Sequence, residues 1–133
     1  MSDRIDDLLR EWRRSRFAYG ATDCLQSVGA YMARCGGRDV ASEWRGLYHT
    51  EEKAEAIVRA YGGLHGLIDL VGFPRVSVDQ VERGDVVVVD PGHGAPHLAG
   101  ICTGPGIAVR TVRSVCELGK RHVQLTHAWR IVA

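Results

Sequence analysis

The chain has 133 residues, of which 45% are apolar and 25% charged, values ordinary for one globular domain with a buried core. Its 17 basic and 16 acidic residues nearly cancel, which excludes the strongly basic surface typical of nucleic-acid-binding proteins. No apolar run approaches the roughly 20 residues of a membrane span, and the N-terminus lacks the apolar core of a signal peptide. We therefore expect a single domain over 1–133, made in the cytoplasm, with no membrane span and no nucleic-acid partner.

The predicted helices occupy the first half of the chain. Ile5, Leu8, Leu9 and Trp12 recur at helical spacing, which predicts an amphipathic helix over 3–15. Capping residues before similar patterns, and glycines after them, predict further helices over about 22–35, 41–47 (with Trp44 and Leu47 inward), 50–61 and 64–71.

The predicted strands follow Pro74. The run "RGDVVVVD" has four valines between turn residues and predicts a buried strand over 85–90. Further strands are predicted over 97–103, 107–112, 121–125 and 128–132. Helices followed by strands indicate the α+β class, with N-terminal helices packed on one side of a C-terminal antiparallel sheet.

The four cysteines, Cys24, Cys35, Cys102 and Cys116, are too sparse for a disulfide scaffold and are interpreted as thiols. Cys24 lies where a turn leads into a predicted helix, and a helix N-terminus lowers the pKa of a thiol. Cys24 is therefore a candidate nucleophile if a histidine approaches it in space. The alternative is a small buried residue, because cysteine is among the most buried residue types.

Among the six histidines, His97 is the main candidate for that partner. It begins the predicted strand "HLAGICTG", at the end of a sheet on which a helix N-terminus could pack. His93, in the glycine-rich loop just before, is the second candidate. His93 and His97 also have the spacing of a zinc pair that Cys102 or Cys116 might join, but no second closely spaced ligand pair supports a metal site.

Three blocks, "FAYGATDCL", "RGDVVVV" and "HLAGICTG", carry a resemblance in their order and spacing. They resemble the NlpC-type cell-wall cysteine peptidases, which are papain-like enzymes with aromatic-x-Trp-Gly, Asp-Cys-Ser-Gly, Gly-Asp-Leu and His-Val-Gly-Ile blocks. The chain is more similar still to a short family of unknown function found in phage and prophage genomes, whose members end in "AWRI", as here at residues 128–131. The resemblance covers residues 12–132 and implies a papain-like, NlpC-type fold.

The resemblance also implies a site. It makes Cys24 the nucleophile, His97 the general base and Asp23 the residue that begins the helix, with the Cys24 backbone N–H in an oxyanion hole. Thr111 is the candidate for the group that orients the base. Arg110 beside it has only donors and cannot accept from an imidazole N–H, and strand alternation predicts that only one of the two faces inward. No cofactor and no metal are implied.

The histidine block departs from the peptidase pattern by one residue. The peptidase histidine lies three residues before the isoleucine of its block, whereas His97 lies four before Ile101. Leu98 therefore occupies the expected position. Because side chains alternate along a strand, His97 is expected on the wrong face unless a bulge near Ala99 turns it back.

The resemblance implies two functions of different classes. The first is a thiol hydrolase, carried on a phage tail tip, that cleaves an amide bond in peptidoglycan stem peptides. The second is a tail-tip assembly component that keeps the fold with a weak or inactive site. The implied partners are other tail-tip or baseplate proteins and, for the enzyme, peptidoglycan. The implied location is the virion tail, after synthesis in the bacterial cytoplasm without a signal peptide.

Overall fold

The computed structural model describes residues 3–131 and places helices on one face of a five-stranded antiparallel sheet, which confirms the predicted α+β class. The helices of the described chain are α1 (Arg4–Arg14), α2 (Cys24–Arg34), α3 (Glu51–Ala60) and α4 (Leu64–Asp69). The strands are β1 (Val86–Asp90), β2 (Leu98–Cys102), β3 (Gly106–Arg110), β4 (Val115–Gly119) and β5 (Gln124–Trp129). Over the same residues, no helix is both long enough and apolar enough to cross a membrane.

The four-valine strand β1 lies inside the sheet, whose strand order is β4-β3-β2-β1-β5. Val86 and Val88 face the helices and belong to the main hydrophobic core. Val87 and Val89 face the other way into a second core, which the chain segment from Val76 to Val81 helps to cover. Both faces of β1 are therefore buried, which explains why its sequence is continuously apolar and confirms the predicted buried strand.

Helix α2 is held against the sheet by its apolar face. Val28, Tyr31 and Met32 are buried in the main core, and α2 packs chiefly on β2. The Tyr31 hydroxyl donates to the Gly84 carbonyl oxygen at 2.6 Å, just before β1. These contacts bring the first residue of α2, Cys24, over the start of β2.

Two sequence blocks that lie 45 residues apart meet in an ion pair. Arg130 Nε donates to both carboxylate oxygens of Asp85 at 3.0 and 3.1 Å, and Asp85 Oδ2 also accepts from the Glu82 N–H. The neighbouring Trp129 is fully buried and donates from Nε1 to Asp69 Oδ1 at 2.9 Å. The "RGD" and "AWRI" blocks therefore fasten the C-terminal strand to the start of β1 and to α4.

The structure corrects the sequence-based prediction at two places. The predicted helix over 41–47 is a short 3-10 turn, Val40–Glu43, and Leu47 is 70% exposed rather than inward. The helix does not continue because Gly46 has φ 79°, and its N–H donates to the Gly20 carbonyl oxygen instead of to a carbonyl one turn earlier.

The last strands are also placed differently from the prediction. Strand β4 was missed because its side chains are half-buried or exposed and mark no apolar face. Residues 121 and 122, predicted as the start of a strand over 121–125, lie in the 3-10 turn Lys120–His122, and β5 begins only at Gln124. Residue 132, the end of the last predicted strand, lies outside the described residues.

Replacing Arg130 by methionine is expected to lower the free energy of unfolding by about 2 kcal/mol, because it leaves the buried Asp85 carboxylate without its charged partner. Urea denaturation measures the change. The matched control is Arg38→Met, which removes an exposed pair with Glu43 and should cost less than about 0.5 kcal/mol. Equal small losses in the two variants would show that the Asp85 pair is not structural.

Candidate active site

The start of α2 is organised by one buried carboxylate. Asp23 is the N-cap residue, and its Oδ1 accepts from the Gln26 N–H at 2.9 Å. Its Oδ2 accepts from the Gly20 N–H at 2.7 Å and from the Tyr48 hydroxyl at 2.6 Å. Only 4% of Asp23 is exposed, and three donors satisfy it. Asp23 therefore begins the helix, as the resemblance implied, and it also ties two loops to that point.

Cys24 is the first residue of α2, and its sulfur lies beside three backbone N–H groups: its own, that of Leu25 and that of Ala99 on β2. These donors favour the thiolate. Burial opposes them and is the larger effect; together with the neighbouring Asp23 carboxylate it raises the pKa of Cys24 to about 11. The net pKa is therefore raised, whereas a lowered value was expected. The helix N-terminus does lower the pKa, but the protein packed around the sulfur outweighs it.

A cavity of about 780 Å³ opens beside the sulfur, between the N-terminal end of α2, one side of α3, the start of α4 and the start of β2. Cys24, His97 and Thr111 all line it. The tertiary structure thus brings the three residues predicted for the site to one cavity, although they lie far apart in sequence.

His97 reaches this cavity by a route that the sequence did not predict. The pairing of β1 with β2 runs evenly from Val86↔Ile101 to Val89↔Leu98, with no bulge at Ala99. Ala99 packs on the helix side of the sheet, whereas Leu98 packs on the opposite side. Residue 97 lies two positions before Ala99, so its side chain points to the same side of the sheet as Ala99 and Cys24. The expectation that His97 needs a bulge to reach that side was therefore wrong.

The His97 ring is directed toward a carboxylate that sequence reasoning missed. His97 Nε2 lies 3.7 Å from Oδ2 of Asp90, the last residue of β1. That distance is within ion-pair range but is longer than a hydrogen bond. Among the described residues no hydrogen bond joins His97 to Cys24. Asp90 is the final residue of "RGDVVVVD" and ends the strand before His97. The predicted orienting residue, Thr111, comes instead from the region after His97.

The structure separates the two neighbours considered for the orienting role. Arg110 faces inward on the helix side and donates from Nη2 to the Ser15 carbonyl oxygen at 2.6 Å. Thr111 lies in the turn after β3, where its hydroxyl donates to the Ser114 carbonyl oxygen at 3.0 Å. Thr111 touches the cavity, and its only hydrogen bonds among the described residues are within that turn and to Cys116.

Two further histidines line the cavity and were not singled out from the sequence. The rings of His65 and His127 stack with centroids 4.4 Å apart. Burial lowers the pKa of His127, and the nearby charges of His65 and Arg75 lower it further, which favours the neutral imidazole. No sequence signal distinguished these residues, because their contact depends on α4 packing against β5.

The zinc alternative finds no donor set in the part of the chain that the structure describes. Cys102 is buried in the second core, on the face of the sheet away from His97. His93 is exposed in the loop and has φ 57°. Over residues 3–131, no three histidine, cysteine or acidic side chains converge as metal ligands would.

The helices, the sheet and the cavity together define an α+β domain in which a partly buried thiol and three histidines line one cavity. Residues 1–131 match the family described as Domain of unknown function (DUF6950), and the chain belongs to that family. No curated protein and no solved structure matches the chain.

Alkylation of Cys24 by iodoacetamide should stay slow at pH 8 and rise toward a half-maximal rate near pH 11, because the thiolate is the reactive form. At pH 8 we expect labelling about a hundredfold slower in the folded protein than in urea, where the thiol pKa returns to about 8.5. Mass spectrometry of the Cys24 peptide separates it from the other three cysteines, and circular dichroism checks that the protein is folded at each pH. A half-maximal rate below pH 8 would contradict the effect of burial.

Proposed function

We propose that the protein is an NlpC-like thiol hydrolase that cleaves an amide bond in peptidoglycan stem peptides, with Cys24 as nucleophile and His97 as general base. The observation that supports this most directly is that Cys24, at the start of α2, and His97 line the same cavity. The substrate class and a place on a phage tail tip, beside other tail-tip or baseplate proteins, rest on the resemblance of the sequence blocks.

The proposed reaction begins from a neutral thiol, because the Cys24 pKa of about 11 leaves little thiolate near neutral pH. A substrate filling the cavity excludes water and allows His97 to approach the sulfur. As the sulfur attacks the amide carbon, His97 takes the thiol proton, and the Cys24 N–H stabilises the oxyanion. His97 then gives the proton to the leaving amine as the C–N bond breaks. Water, deprotonated by His97, then attacks the thioester carbon. The C–S bond breaks, the acid product leaves, and His97 returns the proton to the Cys24 sulfur.

Asp90 is assigned the orienting role in this scheme, in place of Thr111. The Asp90 carboxylate faces Nε2 of His97, which favours the proton on that nitrogen and leaves Nδ1 as the acceptor. A carboxylate in this position also stabilises the imidazolium that forms during attack. The Thr111 hydroxyl, by contrast, is engaged with Ser114 in its own turn.

Purified peptidoglycan should be digested by the natural protein, and Cys24→Ala should abolish the release of new amino groups. His97→Gln is expected to lower the rate by about a hundredfold or more, since it removes the base, and Asp90→Asn by at least about tenfold. Asp79→Asn, in the 3-10 turn Val78–Gln80 outside the cavity, is the control and should retain full activity. Digestion that survives Cys24→Ala would exclude the proposed nucleophile.

A second candidate function, assembly of the tail tip, is supported by the arrangement of the site without substrate. The thiol of Cys24 is protonated, and no hydrogen bond links it to His97 in the described part of the chain. These features also fit an assembly component of the tail tip that keeps the NlpC-like fold without its activity.

The two candidates differ in what phage assembly requires. If the protein acts in assembly, deletion of the gene should leave defective tails, whereas phage carrying Cys24→Ala should remain infectious. Electron microscopy of particles and plaque counts measure both. Normal tails after deletion would exclude the assembly role.

A further inference from the structure

Arg110 is a buried cation without a paired anion. It ends β3, is only 4% exposed and lines the cavity beside Cys24. Its single hydrogen bond among the described residues runs from Nη2 to the Ser15 carbonyl oxygen. A guanidinium has several further N–H donors, and no carboxylate of the described chain forms a salt bridge with these.

The two carboxylates whose charges act on Arg110 already accept hydrogen bonds from other groups. Asp23 and Glu11 both act on Arg110 through their charges. Asp23 accepts three hydrogen bonds at the start of α2, and Glu11 accepts two from Arg34, at 2.9 and 3.1 Å. Burial is the largest influence on Arg110 and lowers its pKa. Buried charges in proteins are usually paired, so this arrangement lacks an anion.

We propose that Arg110 binds a carboxylate of the ligand that occupies the cavity. A guanidinium binds a carboxylate through two parallel hydrogen bonds, which fits a cation held at the end of a strand. Glu51 and Glu55 of α3 also line the cavity and repel an anion, whereas Arg110 and Arg59 attract one. Of these two arginines, Arg110 is the buried one, and its charge is unpaired among the described residues. The class of ligand is thus a molecule with a free carboxylate.

The position of Arg110 relates this carboxylate to the reacting bond. Gly100 pairs with Val109, so Arg110 lies next to Ala99, whose N–H contacts the Cys24 sulfur. A carboxylate on Arg110 is therefore within one or two residues of an amide at Cys24. This step rests on the proposed function, and it selects peptides that have a free carboxylate beside the cleaved amide.

A purely structural role would be the capping of α1. Ser15 is the C-cap residue of α1, and a cation near a helix C-terminus is stabilising. One donor and one positive charge are enough for that role, and a lysine supplies both. Binding a carboxylate through two parallel hydrogen bonds needs the planar guanidinium. Arg110→Lys therefore separates helix capping from carboxylate binding.

The experiment uses full-length protein carrying Cys24→Ala, which prevents turnover, and two probes: γ-D-glutamyl-L-lysine and the same dipeptide with its glutamyl α-carboxylate amidated. Isothermal titration calorimetry should show the free acid binding at least about tenfold more tightly than the amide. Arg110→Lys should retain thermal stability and lose most of that preference. Arg38→Gln, at an exposed pair outside the cavity, is the control and should keep the preference.

Equal affinity for the two dipeptides, or binding of neither, would overturn the carboxylate site. So would a preference that is unchanged in a folded Arg110→Lys or Arg110→Gln protein. If both variants unfold, Arg59→Gln decides, since it removes the other arginine that lines the cavity: loss of the acid preference in that variant would overturn the assignment to Arg110. Failure of the enzyme proposal is distinguishable from failure of the carboxylate site. The first leaves peptidoglycan undigested, whereas the second is measured only by the binding of the two dipeptides.

Discussion

The site depends on the hydrogen bonds accepted by the buried carboxylate of Asp23. This carboxylate joins the turn before α2 through Gly20, the first turn of α2 through Gln26, and the loop after the 3-10 turn through Tyr48. Burial, and then the hydrogen bond to Asp23, holds the pKa of Tyr48 above its usual range, so the phenol remains a donor. These three segments are fixed at the point where the Cys24 sulfur lies beside the N–H of Ala99.

This constraint places Cys24 where two physical effects oppose each other. The helix N-terminus and the N–H of Ala99 favour a thiolate, whereas enclosure by protein and the charge of Asp23 favour the thiol, and enclosure is the largest influence. The result is a thiol that stays protonated and unreactive near neutral pH when no ligand is bound. Its proton must be accepted at the moment of reaction, which makes the position of His97, and hence of Asp90, decisive for the chemistry proposed.

The sequence blocks that carry the resemblance divide into two kinds in the structure. "RGD" and "AWRI" are structural, since Asp85 and Arg130 form a buried pair and Trp129 fills the core. The blocks around Cys24 and His97 instead contribute to the cavity. Arg110, which lies outside these blocks, both holds the end of α1 and presents a charge to the cavity. A shared block therefore does not by itself identify a catalytic group.

The sequence by itself determined the α+β class, the helices α1 to α4 and the buried strand β1, because apolar periodicity and capping residues act over a few neighbouring positions. The resemblance of its blocks added that Asp23 begins α2. Tertiary structure decided the pKa of Cys24, the side of the sheet that His97 reaches, and the approach of Asp90 and Arg110. These depend on strand register and on how much protein surrounds each atom. Neither is encoded in local spacing, since both arise only when distant segments pack together.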